Sequence, residues 1–265
     1  MAPSLRMRDY RRGVVDGMHL PGGSGGVWYA DDPVAGPVVH RPSGPWTPAV
    51  HALLEFLAVD GLDGIPHVVG FDEEGREILT HLPGRTIAVD DEVAPDGVVR
   101  DAAAWLRRYH DVVRDYDPGP QVWRQAVSAL APGQVICHND TGAYNWIVHD
   151  SRFAGMIDWD QAGPGHPLDD LAFLCWSGVP LFREVPPTDA ARRVSLAADA
   201  YGGVAASALL DAVTDRMARA SARIEVGIRR ADPGMLALRE RGEPERTRGR
   251  VSAFTQRLPA IRDAL

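Results

Sequence analysis

The stretch CHNDTGAYN at residues 137–145, followed by MIDWD at residues 156–160, decides how this sequence is interpreted. It presents a carboxylate at Asp140, a carboxamide at Asn145 and a second carboxylate at Asp158, thirteen residues further on. Such oxygen ligands suit Mg²⁺, which takes few protein ligands and completes its octahedron with water and phosphate oxygens. A carboxylate that binds no metal can accept the proton of an attacking hydroxyl. The segment therefore favours phosphoryl transfer, in which the protein mainly positions groups and neutralises charge.

The residues around this segment predict short strands that bring the two carboxylates together. The apolar run Val135–Cys137 leads into His138 and predicts a strand. Trp146–Val148 and Phe153–Ile157 flank a polar turn at residues 149–151, which predicts a hairpin. We expect this hairpin to return the second carboxylate to the loop that carries the first.

Three motifs, in order along the chain, resemble those of a known family. The segment 138–145 has the pattern H-x-D-x4-N without the arginine usual in protein kinases, I-D-W follows at 157–159, and D-L-A follows at 170–172. The chain resembles the aminoglycoside phosphotransferase-like small-molecule kinases of the choline kinase type, which are relatives of protein kinases. The resemblance covers most of the chain, through its motifs over 133–175 and through its general organisation over 13–84.

The resemblance implies a role for each residue of the central segment. Asp140 takes the position of the catalytic base that orients the acceptor hydroxyl, and Asn145 and Asp158 take the positions of the Mg²⁺ ligands. His138 belongs to the catalytic segment and would brace its loop through hydrogen bonds. Asp170 would anchor the same loop from behind.

The resemblance also points to residues that bind the nucleotide, which we expect to be ATP, with GTP left open. Residues 80–84 resemble the connection whose backbone pairs with adenine, so His81 and Leu82 are assigned there. A glycine-rich run between two predicted strands could cover the phosphates with backbone N–H groups, although such clusters also form plain turns. Its candidate residues are Gly22, Gly23, Ser24 and Gly25.

One position departs from the family, because all 28 basic residues are arginine and the chain has no lysine. Kinases use a lysine of the third strand that touches the α- and β-phosphates and pairs with a glutamate on the following helix. Arg41 is the candidate replacement, although its guanidinium differs in reach and geometry from the ammonium group of a lysine. The glutamate is unassigned, because Glu55 favours solvent and Val50 or His51 lies nearer the expected position.

The order of predicted elements favours an α+β chain with a two-lobed, protein kinase-like fold. Residues 1–82 are rich in short strands, with one amphipathic helix over 48–60 whose predicted cap is Thr47, and we expect a small antiparallel sheet that binds the nucleotide. Residues 83–265 change to helical periodicity and form the larger, mainly helical lobe for catalysis and substrate binding.

The composition and net charge of the chain limit the kinds of partner and compartment that we expect. A net charge of −8 disfavours nucleic-acid binding and is compatible with a small cationic acceptor. No stretch approaches a membrane span, and two distant cysteines disfavour a disulfide framework, so we expect a cytoplasmic protein of undetermined oligomeric state. Asparagine occurs only as Asn139 and Asn145, both within the central segment.

These observations leave three hypotheses open. The first is an ATP- and Mg²⁺-dependent phosphotransferase that acts on a hydroxyl of a small, cationic antibiotic or metabolite. The second is a nucleotide-binding pseudokinase or regulatory module with little transferase activity, because the lysine is absent. The third is a metal-dependent hydrolase that uses His138 and Asp140 as ligands.

Overall fold

The computed structural model describes residues 18–19, 26–124 and 130–265. Its first part is a five-stranded antiparallel sheet with strand order β1-β2-β3-β5-β4. The strands are β1 (Met18–His19), β2 (Trp28–Asp32), β3 (Gly36–Arg41), β4 (Val68–Phe71) and β5 (Glu77–Thr80). The expected small antiparallel sheet is confirmed, whereas the glycine-rich residues 22–25 lie outside the described part of the chain.

Helix α1 (Thr47–Val59) lies between β3 and β4 in sequence. Pro48 occupies its first turn, and the side chains of Leu53, Leu54 and Leu57 are buried at the spacing expected of one helix face. The prediction that Thr47 caps this helix is wrong. Trp46 occupies the capping position, and the Thr47 hydroxyl accepts a hydrogen bond from the Gly44 N–H outside the helix.

The second part is mainly helical, as predicted. Its helices are α2 (Asp96–Val113), α3 (Pro167–Gly178), α4 (Pro187–Tyr201), α5 (Ala206–Arg229), α6 (Pro233–Glu240) and α7 (Glu245–Asp263). Prolines begin α3, α4 and α6, where the missing N–H would have no helical partner. A continuous hydrophobic core joins α1 to the helices of the second part. The domain boundary at residue 82 therefore remains a prediction.

Two small antiparallel ribbons lie between α2 and α3 and hold the loops of the central segment. Strand β6 (Val135–Cys137) pairs with β9 (Gly163–Gly165), and β7 (Trp146–His149) pairs with β8 (Arg152–Met156). The predicted hairpin is therefore confirmed. Its outgoing strand is fixed to the connection after α1, because the Met156 N–H donates to the Gly64 carbonyl over 2.9 Å.

Within the described part of the chain, no single helix is long and apolar enough to cross a membrane; α4 and α5 reach that length and apolarity only as a pair bent by 101°. Cys137 and Cys175 are both buried and unbridged, which confirms the prediction of free thiols.

Candidate active site

The loop between β6 and β7 carries the central segment and depends on an unusual backbone conformation at Asn139. Its φ of +62° lies in the left-handed region, which asparagine tolerates better than most residues. The Asn139 side-chain amide donates to the carbonyls of Gln161 and Gly163, each over 3.1 Å. One of the two asparagines of the chain thus holds the loop against the residues that follow Asp158.

Asp170 anchors this loop from behind, as the resemblance implied. The carboxylate is only 1% exposed and accepts hydrogen bonds from the N–H groups of His138 (2.8 Å) and Asn139 (2.7 Å). The Thr141 hydroxyl donates to the Asp170 carbonyl over 2.6 Å. Three successive parts of the loop are therefore fixed to the first turn of α3.

His110 completes the anchor, and the sequence interpretation missed this role. Its Nε2 lies 3.1 Å from the Asp170 carboxylate and its Nδ1 lies 2.9 Å from the Tyr201 hydroxyl. Burial alone would raise the pKa of Asp170, but hydrogen bonds and charge from His110, with further help from His138, lower that pKa below its ordinary value. Asp170 is therefore ionised, so His110 donates to it from Nε2, while its Nδ1 is hydrogen-bonded to the Tyr201 hydroxyl.

His110 and Asp170 also form a compact group with Cys137, whose potential ligand atoms all lie within 4.8 Å of one another. Both ring nitrogens of His110 and both oxygens of Asp170 are already used in hydrogen bonds. Burial raises the pKa of the Cys137 thiol well above its usual range, so it stays protonated. We therefore assign this group to loop anchoring.

His138 is completely buried and fixed at both ring nitrogens. Nδ1 accepts from the Asp140 N–H over 3.2 Å, and Nε2 donates to the Ile157 carbonyl over 3.2 Å. Burial lowers the pKa of His138, which keeps the ring neutral, and the ring packs against Trp159 at 4.6 Å. With both nitrogens committed, His138 positions the loop and has no nitrogen left for a metal ion, which disfavours the hydrolase hypothesis.

Asp140 lies at the centre of the loop with each carboxylate oxygen held by a neighbouring donor. Tyr144 donates from its hydroxyl to Oδ1 over 2.5 Å, and Asn145 donates from Nδ2 to Oδ2 over 3.0 Å. Burial and, next, the Asp158 carboxylate raise the pKa of Asp140. The carboxylate is thus oriented by two donors in a region crowded with negative charge.

Asn145 and Asp158 lie beside this carboxylate. Asn145 uses Nδ2 to donate to both Asp140 O (2.9 Å) and Asp140 Oδ2, which leaves its side-chain oxygen available as a ligand. The Ile157 N–H donates to the Asn145 carbonyl over 3.0 Å and fixes the two segments together. Asp158 has a φ of +64°, uncommon for a residue other than glycine, and its side chain is 40% exposed. The side-chain oxygens of Asn145 and Asp158 are the kind of ligand atom that Mg²⁺ prefers.

Arg41, at the end of β3, extends from the sheet to the carboxylates of the second lobe. Its Nη2 lies 3.0 Å from Asp158 Oδ1 and 2.6 Å from Asp160 Oδ1, and its Nε lies 3.1 Å from Glu77 Oε1. Burial by itself would lower the pKa of Arg41, but the three carboxylates raise it, so the guanidinium remains charged. The structure thus places the Arg41 guanidinium at the end of β3 beside Asp158, and its contact with the nucleotide phosphates stays a prediction.

The glutamate that pairs with Arg41 comes from a strand, which the sequence interpretation missed. Glu77 is the direct cross-strand partner of Arg41 in the ladder of β3 and β5, and its side chain is 2% exposed. His51 of α1 lies 2.8 Å from the other Glu77 oxygen. The helix therefore contributes a histidine, and Glu55 is exposed as expected.

Asp160 bridges the two parts of the molecule. One oxygen bonds Arg41 and the other lies 3.3 Å from Arg124, whose guanidinium lies 4.3 Å above the ring of Trp46. Burial raises the pKa of Asp160, while Arg41 opposes that shift. Asp160 therefore forms ion pairs with one arginine from each part of the molecule.

The predicted adenine-binding connection follows β5 and precedes the isolated bridge between Arg85 and Val148. The His81 N–H donates to the Pro37 carbonyl over 2.9 Å, and the His81 ring meets Tyr29 edge-on at 5.2 Å. This N–H already extends the sheet, so adenine pairing at His81 and Leu82 remains a prediction. Gly22, Gly23, Ser24 and Gly25 lie outside the described residues.

Sequence comparison finds similarity to a known family and to individual relatives. Residues 115–206 match the phosphotransferase enzyme family. The chain is also 36% identical over 169 residues to a trifolitoxin immunity protein of Rhizobium leguminosarum bv. trifolii, with 61% of each chain covered. The matched region thus spans less than two thirds of that relative.

Structural comparison finds the same fold in solved phosphotransferases. The macrolide 2'-phosphotransferase of Brachybacterium faecium superposes with a TM-score of 0.53 at 21% identity, covering 86% of this chain and 87% of that one. The GDP complex of aminoglycoside 2'-phosphotransferase-IIIa gives a TM-score of 0.52 at 13% identity, with coverage of 97% and 93%. The predicted α+β, two-lobed kinase-like architecture is confirmed.

Proposed function

We propose that this chain, which is similar to the phosphotransferase enzyme family over residues 115–206 and shares the fold of solved phosphotransferases, transfers the γ-phosphate of a nucleoside triphosphate to a hydroxyl group of a small molecule. The observation that carries the proposal is the arrangement around Asp140. Its carboxylate is oriented by Asn145 and Tyr144 and lies on a loop fixed by Asp170. A base of this kind contributes on the order of 10²–10⁴ in rate where proton transfer matters.

In the proposed reaction, an acceptor hydroxyl oxygen forms a bond to the γ-phosphorus while the bond to the β,γ-bridging oxygen breaks and the nucleoside diphosphate leaves. The hydroxyl proton passes to the Asp140 carboxylate. Asp140 is held in place by its neighbours, so its contribution is to orient the hydroxyl and accept this proton. The acceptor hydroxyl would replace the Tyr144 hydroxyl at Asp140 Oδ1.

The residues beside Asp140 fit a divalent cation. Asp140, Asp158, Asp160 and Glu77 lie close together, and the pKa of Asp140 is raised by burial and by Asp158, which indicates carboxylates that a cation would stabilise. We propose that Asn145 and Asp158 would hold Mg²⁺, which when bound supplies neutralisation of phosphate charge. We assign ATP as donor, with GTP as an alternative.

Arg41 is the proposed cation that contacts the nucleotide phosphates in place of the missing lysine. Its guanidinium is charged and lies beside Asp158, which is proposed to hold the metal ion. The same contact supports a second candidate, a nucleotide-binding pseudokinase, because the guanidinium occupies an oxygen of the proposed metal ligand. Turnover discriminates the two, since a pseudokinase would bind nucleotide without transferring phosphate.

The acceptor is proposed to be an antibacterial compound or a small metabolite. The relative described as a trifolitoxin immunity protein supports a compound whose modification protects the cell. The net charge of −8 favours a cationic acceptor, whereas Arg216 and Arg223 beside the loop that carries Asp140 favour an anionic one.

The deciding experiment measures phosphate transfer from radiolabelled ATP, with Mg²⁺, to a panel of hydroxyl-bearing antibiotics, amino alcohols and hydroxy acids. We expect turnover in the wild type and its loss in Asp140→Asn and Asp158→Ala. The matched control is Asp150→Asn, an exposed aspartate on the turn between β7 and β8, which should keep full activity. Full activity in either site variant would falsify the assignment, and nucleotide binding without any turnover would favour the pseudokinase.

A further inference from the structure

Two arginines of α5 lie against the loop that carries Asp140. Arg216 donates from Nη2 to the Asn139 carbonyl over 3.0 Å, and its guanidinium lies 4.4 Å from the ring centre of Phe173. Arg223 donates from Nη2 to the side-chain oxygen of Gln161 over 2.7 Å. Seven residues apart, the two side chains share one face of the helix, and that face is turned toward the proposed catalytic loop.

Neither arginine has a carboxylate partner within ion-pair distance among the described residues, and their recorded hydrogen bonds go to neutral oxygens. Arg219, between them on the same helix, pairs with Asp169. Arg216 is nevertheless only 8% exposed. Buried charges in proteins are normally paired or bound to a ligand, because an unpaired charge loses its hydration without compensation.

The charges around Arg223 indicate where an anion would lie. Burial and then the neighbouring Arg216 lower the pKa of Arg223, while Asp140 and Tyr144 raise it. The two guanidiniums thus lie near each other, and Arg223 lies near the proposed base, Asp140. An additional anion between Arg216 and Arg223 would relieve their mutual repulsion.

Tyr144 marks the open side of this region. Its hydroxyl bonds Asp140, yet the residue is 39% exposed, so its ring forms part of an accessible surface beside the base. The nucleotide residues proposed above approach from the other direction, through Arg41 on the sheet. The surface beside Tyr144 is therefore available to the acceptor.

We propose that Arg216 and Arg223 form an anion site beside Asp140 and that the phosphate acceptor carries a carboxylate or similar anionic group in addition to its hydroxyl. This inference rests on the proposed function and specifies its substrate class. It differs from the cationic acceptor that the net charge favours, because local charges beside the base outweigh the distant ones that dominate the total.

The first test does not depend on knowing the acceptor and uses inorganic sulfate as the anion probe at constant ionic strength. Arg223→Gln is compared with Arg229→Gln, an exposed arginine on the same helix. We expect sulfate to raise the thermal midpoint of unfolding saturably in the wild type and in the control but not in Arg223→Gln. Arg223→Lys should bind sulfate more weakly than the wild type, because lysine keeps the charge but lacks the paired N–H donors of a guanidinium. An equal or unsaturable rise in all four proteins overturns the anion site.

The second test assigns the site to the acceptor. Candidate acceptors are supplied in pairs that share a hydroxyl and differ only in a carboxylate against a carboxamide. We expect faster turnover of the carboxylates, and Arg223→Gln should lower kcat/KM for them by about 10–100-fold, as for loss of a charged hydrogen bond, with KM for ATP unchanged.

Equal turnover of carboxylates and carboxamides, or a defect confined to KM for ATP, overturns the acceptor assignment; the latter places the arginines on the nucleotide phosphates. Where no pair is turned over, the sulfate comparison decides. Retained turnover in Asp140→Asn would instead overturn the proposed function, while the sulfate result would still stand, so the two failures are distinguishable.

Discussion

The guanidinium of Arg41 and the carboxylate of Glu77 face each other across strands β3 and β5, with Nε and Oε1 3.1 Å apart. Because Glu77 is buried and its other oxygen bonds only His51 among the described residues, it depends on Arg41 for compensation of its charge. Arg41, by contrast, has two further carboxylates. The pair is therefore asymmetric, and its two members should respond differently to substitution.

We expect Arg41→Ala to destabilise the protein by about 3–5 kcal/mol, since it leaves Glu77 as a buried, poorly compensated charge. Glu77→Gln should cost about 1–3 kcal/mol, because Arg41 keeps Asp158 and Asp160 as partners. Urea unfolding measures both, and the exposed Glu55→Gln on α1 serves as a control that should change stability by less than about 0.5 kcal/mol. A larger loss in Glu77→Gln than in Arg41→Ala would contradict this ranking.

Substitution of Arg41 also tests its proposed contact with nucleotide. We expect Arg41→Met, which removes the positive charge, to weaken binding of Mg·ATP by about 10–100-fold. Arg41→Lys keeps that charge and should weaken binding less. Calorimetric titration with a non-hydrolysable ATP analogue gives the affinity, and unfolding curves of the same samples show that the variants are folded. Unchanged affinity in Arg41→Met would restrict Arg41 to a role in pairing the lobes.

The anchor of the loop that carries Asp140 should be sensitive to acid. The lowered pKa of Asp170 means that this group stabilises the fold above its unfolded-state pKa of about 3.9, and that the contribution is lost as pH falls through the lower folded-state pKa. Asp170→Asn should therefore lose about 3 kcal/mol or more at pH 7 and show a weaker dependence of stability on pH in the acid range. The exposed Asp211→Asn, which breaks only a surface pair with Arg262, is the control. Parallel acid profiles for wild type and Asp170→Asn would contradict the role of this carboxylate.

Much of the central segment could be predicted from the sequence because its chemistry is local. Asp140 and Asn145 lie on one loop, Asp158 follows the next hairpin, and turn residues fix where that hairpin reverses. The same holds for α1, whose leucines repeat at helical spacing. A sequence pattern that spans about twenty residues or fewer constrains the local backbone directly. The strands and the loop between them were therefore predicted correctly.

Glu77 and Arg223 could not be predicted, because their roles depend on contacts between distant segments. Glu77 meets Arg41 only through the register of β3 and β5, which no local pattern specifies. Arg216 and Arg223 share a helix face by spacing, but the packing of α5 against α3 decides that this face meets Asn139 and not solvent. The net charge does not decide the charge of the acceptor either, because it sums over the whole surface and carries no information about one site.

Asn139 provides a test that separates backbone conformation from side-chain hydrogen bonding in the loop that carries Asp140. Asn139→Gly tolerates the φ of +62° but loses the two amide hydrogen bonds, which should cost about 1–3 kcal/mol in total. Asn139→Ala loses the same bonds and also places a β-carbon in the left-handed region, which adds about 1–2 kcal/mol. Urea unfolding measures the difference between the variants, which isolates the backbone contribution, and turnover should fall in both while nucleotide affinity is retained. Equal stability of the glycine and alanine variants would show that the loop adopts another conformation in solution.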